Sequence, residues 1–352
     1  MSVRIGVNGF GRIGRNLLRA LLERADAAAA GGAASGPAAE LELVAVNDIT
    51  SKETNAHLLQ YDSTHGRLRH RVELTEEGFV VGSATVKVLT ERDPKALPWG
   101  ELGVDVVVES TGRFTTRDAA MSHVEAGAKR VIISAPSKDA DATFVVGVND
   151  GEFDPARHVI VSNASCTTNC LVPMVKVVDE AFGLRQGLMT TVHAYTNDQE
   201  LLDLGRDNLR RARAAAVNIV PATTGAARAT SLVLEQMKGR LDGQALRVPV
   251  VDGSITDLTA VLGRAVTVDE VNEAFRLASE QGPLAGVLTY SEAPIVSTDI
   301  VGTSASCTFD ASLTMVVPID DSSSLVKIMG WYDNEWGYSH RLLDLAGIIG
   351  RA

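Results

Sequence analysis

The stretch VRIGVNGFGRIGRNLLRALLERA, residues 3 to 25, decides the fold. Its first third is an apolar strand, and its last half places leucine at 17, 18, 21 and 22, the 3.6-residue spacing of an amphipathic helix. Gly9, Gly11 and Gly14 supply GxGxxG at the junction. Without a Cβ, the backbone there can turn tightly and approach a pyrophosphate at the helix's positive end. Alone, the motif equally suits a glycine turn that packs a helix on a sheet. A second apolar run, LELVAVND, ends in Asp48, an acid suited to a ribose hydroxyl, and the set reads as a dinucleotide fingerprint.

The spacing departs from the usual pattern, because Gly14 and Asp48 are 34 positions apart where about 20 is ordinary. Residues 25 to 39, ADAAAAGGAASGPAA, account for the excess. They offer little apolar core and read as a helix extension or a flexible surface loop. Further on, VDVVVES (104–110) and KRVIISA (129–135) are β-branched runs flanking the helical TRDAAMSHVEAG. That alternation predicts parallel strands buried on both faces of an open, doubly wound α/β sheet. Ligand then belongs at the strands' carboxyl ends, where Gly9, Asp48, Ser110, Thr111 and Ser134 fall. For the last three, ordinary strand-end turns fit as well.

Bulk properties narrow the class. A chain of 352 residues has room for two domains. It is 45% hydrophobic and 22% charged, with no run of about 18 apolar residues, so a globular protein without a membrane span is expected. The N-terminus lacks a secretory pattern and three cysteines make a poor disulfide framework, which together favour a reducing cytoplasm. A net charge of −11 speaks against nucleic-acid partners.

Two of the three cysteines lie in SNASCTTNC, residues 162 to 170. Cys166 opens a predicted helix, where partial positive charge and free N–H groups lower a thiol's pKa. Cys170 lies one turn deeper on the same face and reads as packing. Pro173 is expected to kink that helix. A free cysteine is often merely a small buried hydrophobe, and a zinc site would need a second Cys or His pair that is missing at suitable spacing. The strand LMTTVHAYTND (188–198) carries His193 beside Thr196 and Asn197, a candidate base for the thiol.

In order along the chain, VNGFGRIGR, SNASCTTNC, HAYTNDQ, PATTGAA, LRVPVVDGSITDL and WYDNEWGYS make the sequence similar to phosphorylating glyceraldehyde-3-phosphate dehydrogenases from Val3 to Leu345. The resemblance implies an N-terminal Rossmann-type doubly wound parallel sheet plus an α+β catalytic domain with a mixed, partly antiparallel sheet. The implied NAD-binding domain spans 1–165, with the helix 334–352 returning to it, and the catalytic domain spans 166–333. Cys166 would attack glyceraldehyde 3-phosphate and carry a hemithioacetal and then a thioester, with inorganic phosphate releasing 1,3-bisphosphoglycerate. His193 would be the base, near its ordinary pKa, holding Cys166 as thiolate.

By position, Thr196 and Arg247 would bind the substrate phosphate, and Ser165, Thr167, Thr224 and Gly225 the attacking phosphate. On residue type alone, Arg247 suits a strand arginine paired with a carboxylate, and Thr224 a helix cap. The resemblance gives Gly9, Gly11, Arg12, Ile13 and Gly14 to the pyrophosphate turn. It gives Asp48, Arg92, Thr111 and Ser134 to the rest of the cofactor, and Asn334 to the nicotinamide carboxamide. Asp48 favours NAD over NADP because a carboxylate repels a 2′-phosphate, although Leu204-Gly205 stands where NAD-specific relatives commonly have Leu-Pro. The loop of 196–220, with Arg210, Arg211 and Arg213, implies a homotetramer. An erythrose-4-phosphate dehydrogenase and a non-catalytic NAD-binding relative are the alternatives.

Overall fold

The computed structural model describes residues 2–31 and 41–352. The chain forms two compact units, Met1–Ala164 with Ser339–Ala352, and Ser165–Tyr338. In the first, β1 (Val3–Asn8) leads into α1 (Arg12–Ala29), so the helix extends into the Ala/Gly-rich stretch. The loop reading of 32–39 lies outside the described residues. There follow β2 (Leu41–Asn47), α2 (Lys52–Gln60), the small hairpin β3 (Tyr61–Asp62) and β4 (Gly66–Arg67), then β5 (Val72–Leu74), β6 (Gly78–Val81) and β7 (Ala84–Leu89). The unit continues through β8 (Val106–Glu109), α3 (Arg117–Glu125), β9 (Arg130–Ile133), β10 (Ala142–Thr143) and β11 (Ile160–Ser162).

Nine strands form one sheet, ordered β10-β11-β9-β8-β1-β2-β7-β6-β5. Pairing is parallel from β10 to β7 and antiparallel beyond. The β-branched runs explain the parallel part, since Val106, Val107, Val108, Val131, Ile132 and Ile133 have no exposed surface and need cover on both faces. Leu17, Leu18 and Leu22 of α1 are buried as the helical spacing requires. Register matters most for the site: Asn8 lies opposite Asn47 on β2 and Glu109 on β8, so three strand ends finish level.

The second unit opens with α4 (Cys166–Phe182), followed by β12 (Leu184–Ala194), β13 (Val220–Thr223), α5 (Ala226–Val233), β14 (Leu241–Val248), β15 (Ser254–Leu262) and α6 (Val268–Glu280). Then come β16 (Leu288–Ser291), the short α7 (Ser297–Ile300), β17 (Cys307–Asp310), β18 (Met315–Asp320), β19 (Ser323–Tyr332) and the first turn of α8 (Trp336–Gly350), which from Ser339 onward belongs to the first unit. Its mixed sheet runs β13-β14-β12-β15-β19-β17-β16, with β18 on β19. On β15, alternate residues are buried, the period of two expected for a sheet with one covered face. Helix α4 lies against β15 and β19. Pro173 sits inside α4 without ending it; the helix stops at Gly183, whose φ of +72° suits glycine.

Candidate active site

Helix α4 begins at the nucleophile candidate. Ser165 caps it, its hydroxyl accepting from Thr168 N at 3.0 Å, which leaves Cys166 in the first turn. Directly before the cap, Ala164 takes φ +55°, the single positive φ outside glycine among the described residues. Cys170, one turn on, is fully buried, with its Sγ donating to Gly330 O at 3.4 Å. A Cβ built on Gly330 would lie 2.5 Å from Cys307 Sγ, 2.6 Å from Met174 Sδ and 3.2 Å from Cys170 Sγ. Only glycine lets β19 come that close beneath α4.

His193, second from the end of β12, places Nε2 3.5 Å from Cys166 Sγ. Its Nδ1 lies 2.7 Å from Ala194 O. Nε2 turns a lone pair toward the sulfur, as a base requires, in the tautomer whose Nδ1 donates to that carbonyl; the tautomer whose Nδ1 accepts from Arg247 carries the proton on Nε2 instead. Arg247 on β14 stands alongside β12, and its Nη1 lies 2.7 Å from His193 Nδ1 and donates to Ala194 O (3.0 Å) and Thr196 Oγ1 (3.2 Å). Arg247 Nε is buried with no hydrogen-bond partner, and no carboxylate pairs with the guanidinium among the described residues. The Thr196 hydroxyl donates in turn to Asp198, and a half-buried guanidinium without a carboxylate partner is suited to an oxyanion.

The proton energetics run in the direction opposite to two expectations. Burial pushes the Cys166 thiol up to about 11, outweighing the Arg247 charge and the Thr167 hydrogen bonds that pull it down. Burial, reinforced by the Arg247 charge, pushes His193 down to about 3, far from the ordinary imidazole value. Desolvation at Cys166 therefore outweighs the neighbouring groups that pull the thiol down. Cys166 nonetheless keeps part of its surface open. Charge separation depends on handing the proton across 3.5 Å from sulfur to Nε2, where two opposite charges attract strongly in dry surroundings.

The remaining candidates divide. Thr167 is tied to Tyr332, hydroxyl to hydroxyl at 2.9 Å, and Tyr332 reaches Thr191 Oγ1 at 2.7 Å. Tyr332, which the sequence reading missed, thus pins the start of α4 to β12; its place beside Asn334 in YDNEW was the available signal. Thr224 Oγ1 accepts from Ala226 N at 3.2 Å in a turn just ahead of α5, whose N-cap is Gly225 and which no side chain caps. Asn334 Oδ1 accepts from Ser254 Oγ at 2.6 Å, which directs its amide nitrogen elsewhere.

In the first unit, a cavity of about 270 Å³ opens at the strand carboxyl ends. Gly9, Gly11, Asp48, Arg92 and Thr111 line it. Gly9 has φ +95°, and a Cβ there would strike Thr111 N at 2.6 Å; beside Gly11 the space is open. Asp48 Oδ2 accepts from Phe10 N (2.8 Å) and Oδ1 from Thr50 N (2.9 Å), which fixes the carboxylate at the cavity wall with acceptor capacity to spare. Gly14 packs on Gly9 O, while Arg12 ion-pairs with Asp62. Ile13 lies in the first turn of α1. Ser134 donates its N–H to Glu109 O at 2.9 Å and is not among the lining residues. Asn8, Asn47 and Glu91 do line it and were not foreseen. An open turn, a fixed carboxylate and strand-end polar groups fit a dinucleotide.

Comparison with known proteins agrees with this geometry. Residues 3–117 match the family model described as glyceraldehyde 3-phosphate dehydrogenase, NAD binding domain, and residues 165–334 match its C-terminal domain. The chain is 58% identical over 350 residues to a glyceraldehyde-3-phosphate dehydrogenase of Streptomyces coelicolor, covering 99% of each. It is 54% identical to that of Geobacillus stearothermophilus, covering 99% of this chain and 98% of the relative. With that of Mycobacterium avium it shares 54% identity over the full length of both.

Proposed function

The chain belongs to the glyceraldehyde-3-phosphate dehydrogenase family, and on that premise we propose how its residues divide the work of an NAD-dependent oxidation of glyceraldehyde 3-phosphate. The carrying observation is Cys166 Sγ 3.5 Å from His193 Nε2, with Arg247 beside both. NAD, held by Gly9, Gly11, Asp48, Arg92 and Thr111, supplies the hydride acceptor.

The chain does the rest. His193 Nε2 takes the Cys166 proton as sulfur attacks the aldehyde carbon, giving a hemithioacetal. That proton passes on to the former carbonyl oxygen, and the same nitrogen takes it back from the hemithioacetal hydroxyl as the carbon, giving up its hydride, is oxidised to a thioester. Arg247 and Thr196, which lie within hydrogen-bond distance of each other, hold the substrate phosphate. Ser165, Thr167, Thr224 and Gly225 border the place where inorganic phosphate attacks the thioester, releasing 1,3-bisphosphoglycerate and the Cys166 thiolate. Asn334, steered through Ser254, orients the carboxamide.

Two wider readings accompany this. Leu188, Leu201, Leu202, Leu204, Leu209, Ile219, Met315, Val317 and Ile319 of the second unit are all exposed, and burial of such side chains between copies of the chain supports a homotetramer. No helix among the described residues is long and apolar enough to cross a membrane, and all three cysteines are free, which supports the cytoplasm as the compartment.

The test is NADH formation from glyceraldehyde 3-phosphate with phosphate omitted and then restored. One equivalent per subunit should form without phosphate and steady turnover should follow its addition. Steady phosphate-independent turnover, with erythrose 4-phosphate preferred, would overturn the assignment of an acyl-phosphate product.

A further inference from the structure

Glu109 ends β8 in the first unit and is 1% exposed. Four donors converge on its carboxylate. Asn8 Nδ2 (2.6 Å) and His123 Nε2 (3.0 Å) reach Oε2, while Thr111 N (2.8 Å) and the Thr111 hydroxyl reach Oε1. The Trp99 indole N–H can only donate, and it lies 3.1 Å from His123 Nδ1. Nδ1 therefore accepts, the ring proton sits on Nε2, and His123 presents it to Glu109.

This buried group governs the cavity without lining it. Thr111 N, which Glu109 fixes, is the atom a Cβ on Gly9 would strike, so Thr111 backs the glycine turn. On the other side, Asn8 Oδ1 accepts from Asn47 Nδ2 at 2.7 Å. Asn47 in turn clamps Glu91, its Nδ2 donating to Glu91 O (2.9 Å) and its Oδ1 accepting from Glu91 N (2.8 Å). Asn8, Gly9, Asn47, Glu91 and Thr111, all in the cavity wall, are thus connected to one carboxylate.

We propose that Glu109, held by His123, is a positioning residue for NAD, setting the ends of β1, β2 and β8 in the register the cofactor needs. The proposal rests on the reading of this cavity as the NAD site. Its strength comes from direction: every group facing the carboxylate donates, so an isosteric amide in its place must point N–H groups at N–H groups.

The experiment is calorimetric titration of the full-length enzyme with NAD, together with steady-state kinetics. Glu109→Gln should raise Kd and the KM for NAD about tenfold, while kcat at saturating NAD falls by less than about threefold. Alkylation of Cys166 without NAD should match wild type. His123→Gln keeps one donor and one acceptor and should stay within about threefold of wild type in Kd, whereas His123→Phe should weaken binding as Glu109→Gln does. If Glu109→Gln does not fold by thermal melt, the two His123 variants decide. Tight wild-type binding with indifferent Glu109→Gln or His123→Phe overturns the proposal alone, as does equal weakening by both His123 variants. Failure of the wild type to bind NAD overturns the cofactor reading and the proposal with it.

Discussion

At the scale of single residues, His193 decides whether Cys166 reacts near neutral pH. With the thiol pushed up by burial, the sulfur ionises readily only if a nearby base accepts its proton. In His193→Asn the proton must go to water, so the pH profile of Cys166 alkylation should move to higher pH, and kcat should fall about 10²- to 10⁴-fold. Coincident alkylation profiles would remove His193 from the role of base. Asp48 sets cofactor choice by charge at a fixed place. Asp48→Ala should lower kcat/KM for NAD about tenfold and raise it for NADP, since a hydrogen-bonding and repelling carboxylate is lost together. An unchanged NADP rate would show that another residue excludes the 2′-phosphate. Both candidates were legible in the sequence, because motif spacing places a residue on an element. The protonation of His193 was not, since desolvation depends on neighbours contributed from far along the chain.

At the scale of elements, α1 and the later part of α8 meet within the first unit through buried polar groups. Arg24 donates to His340 Nδ1 (Nε at 3.2 Å) and to Asp344 Oδ1 at 2.8 Å. Burial first, then Arg24 and Arg341, push His340 down to about 3. The sign follows from linkage: the unfolded chain takes up a proton on this imidazole from about pH 6.5 downward, and the folded chain does not until about 3. Stability from His340 is therefore full above about pH 6.5 and is lost as pH falls toward 3. Between pH 7 and pH 5, wild type should lose about 2 kcal/mol more than His340→Gln, read from urea unfolding at each pH. Parallel losses would mean that His340 is protonated in the fold. The amphipathic spacing in NLLRALLERA identified α1 itself, but nothing in it revealed that Arg24 would be buried against a helix more than 300 residues away.

At the scale of the whole molecule, the open apolar surface of the second unit makes assembly measurable. Met315, Val317 and Ile319 alternate along β18 and are each more than half exposed. Light scattering at micromolar concentration should give the mass of four chains, and Met315→Glu combined with Val317→Glu should yield smaller species. A monomeric wild type would end the tetramer proposal.

What the sequence determined by itself was order and chemistry: a glycine turn between a strand and a helix, β-branched runs that need cover on both faces, and a cysteine at a helix start. These are local, because periodicity and backbone sterics act over a few residues. Tertiary structure alone decided that Cys166 and His193, 27 positions apart, come within 3.5 Å. It also brought Arg247 to them, buried Glu109 beneath the glycine turn, and raised the thiol where its helix position pointed the other way. Distance and desolvation are set by which surfaces pack together, and packing is a property of the folded chain.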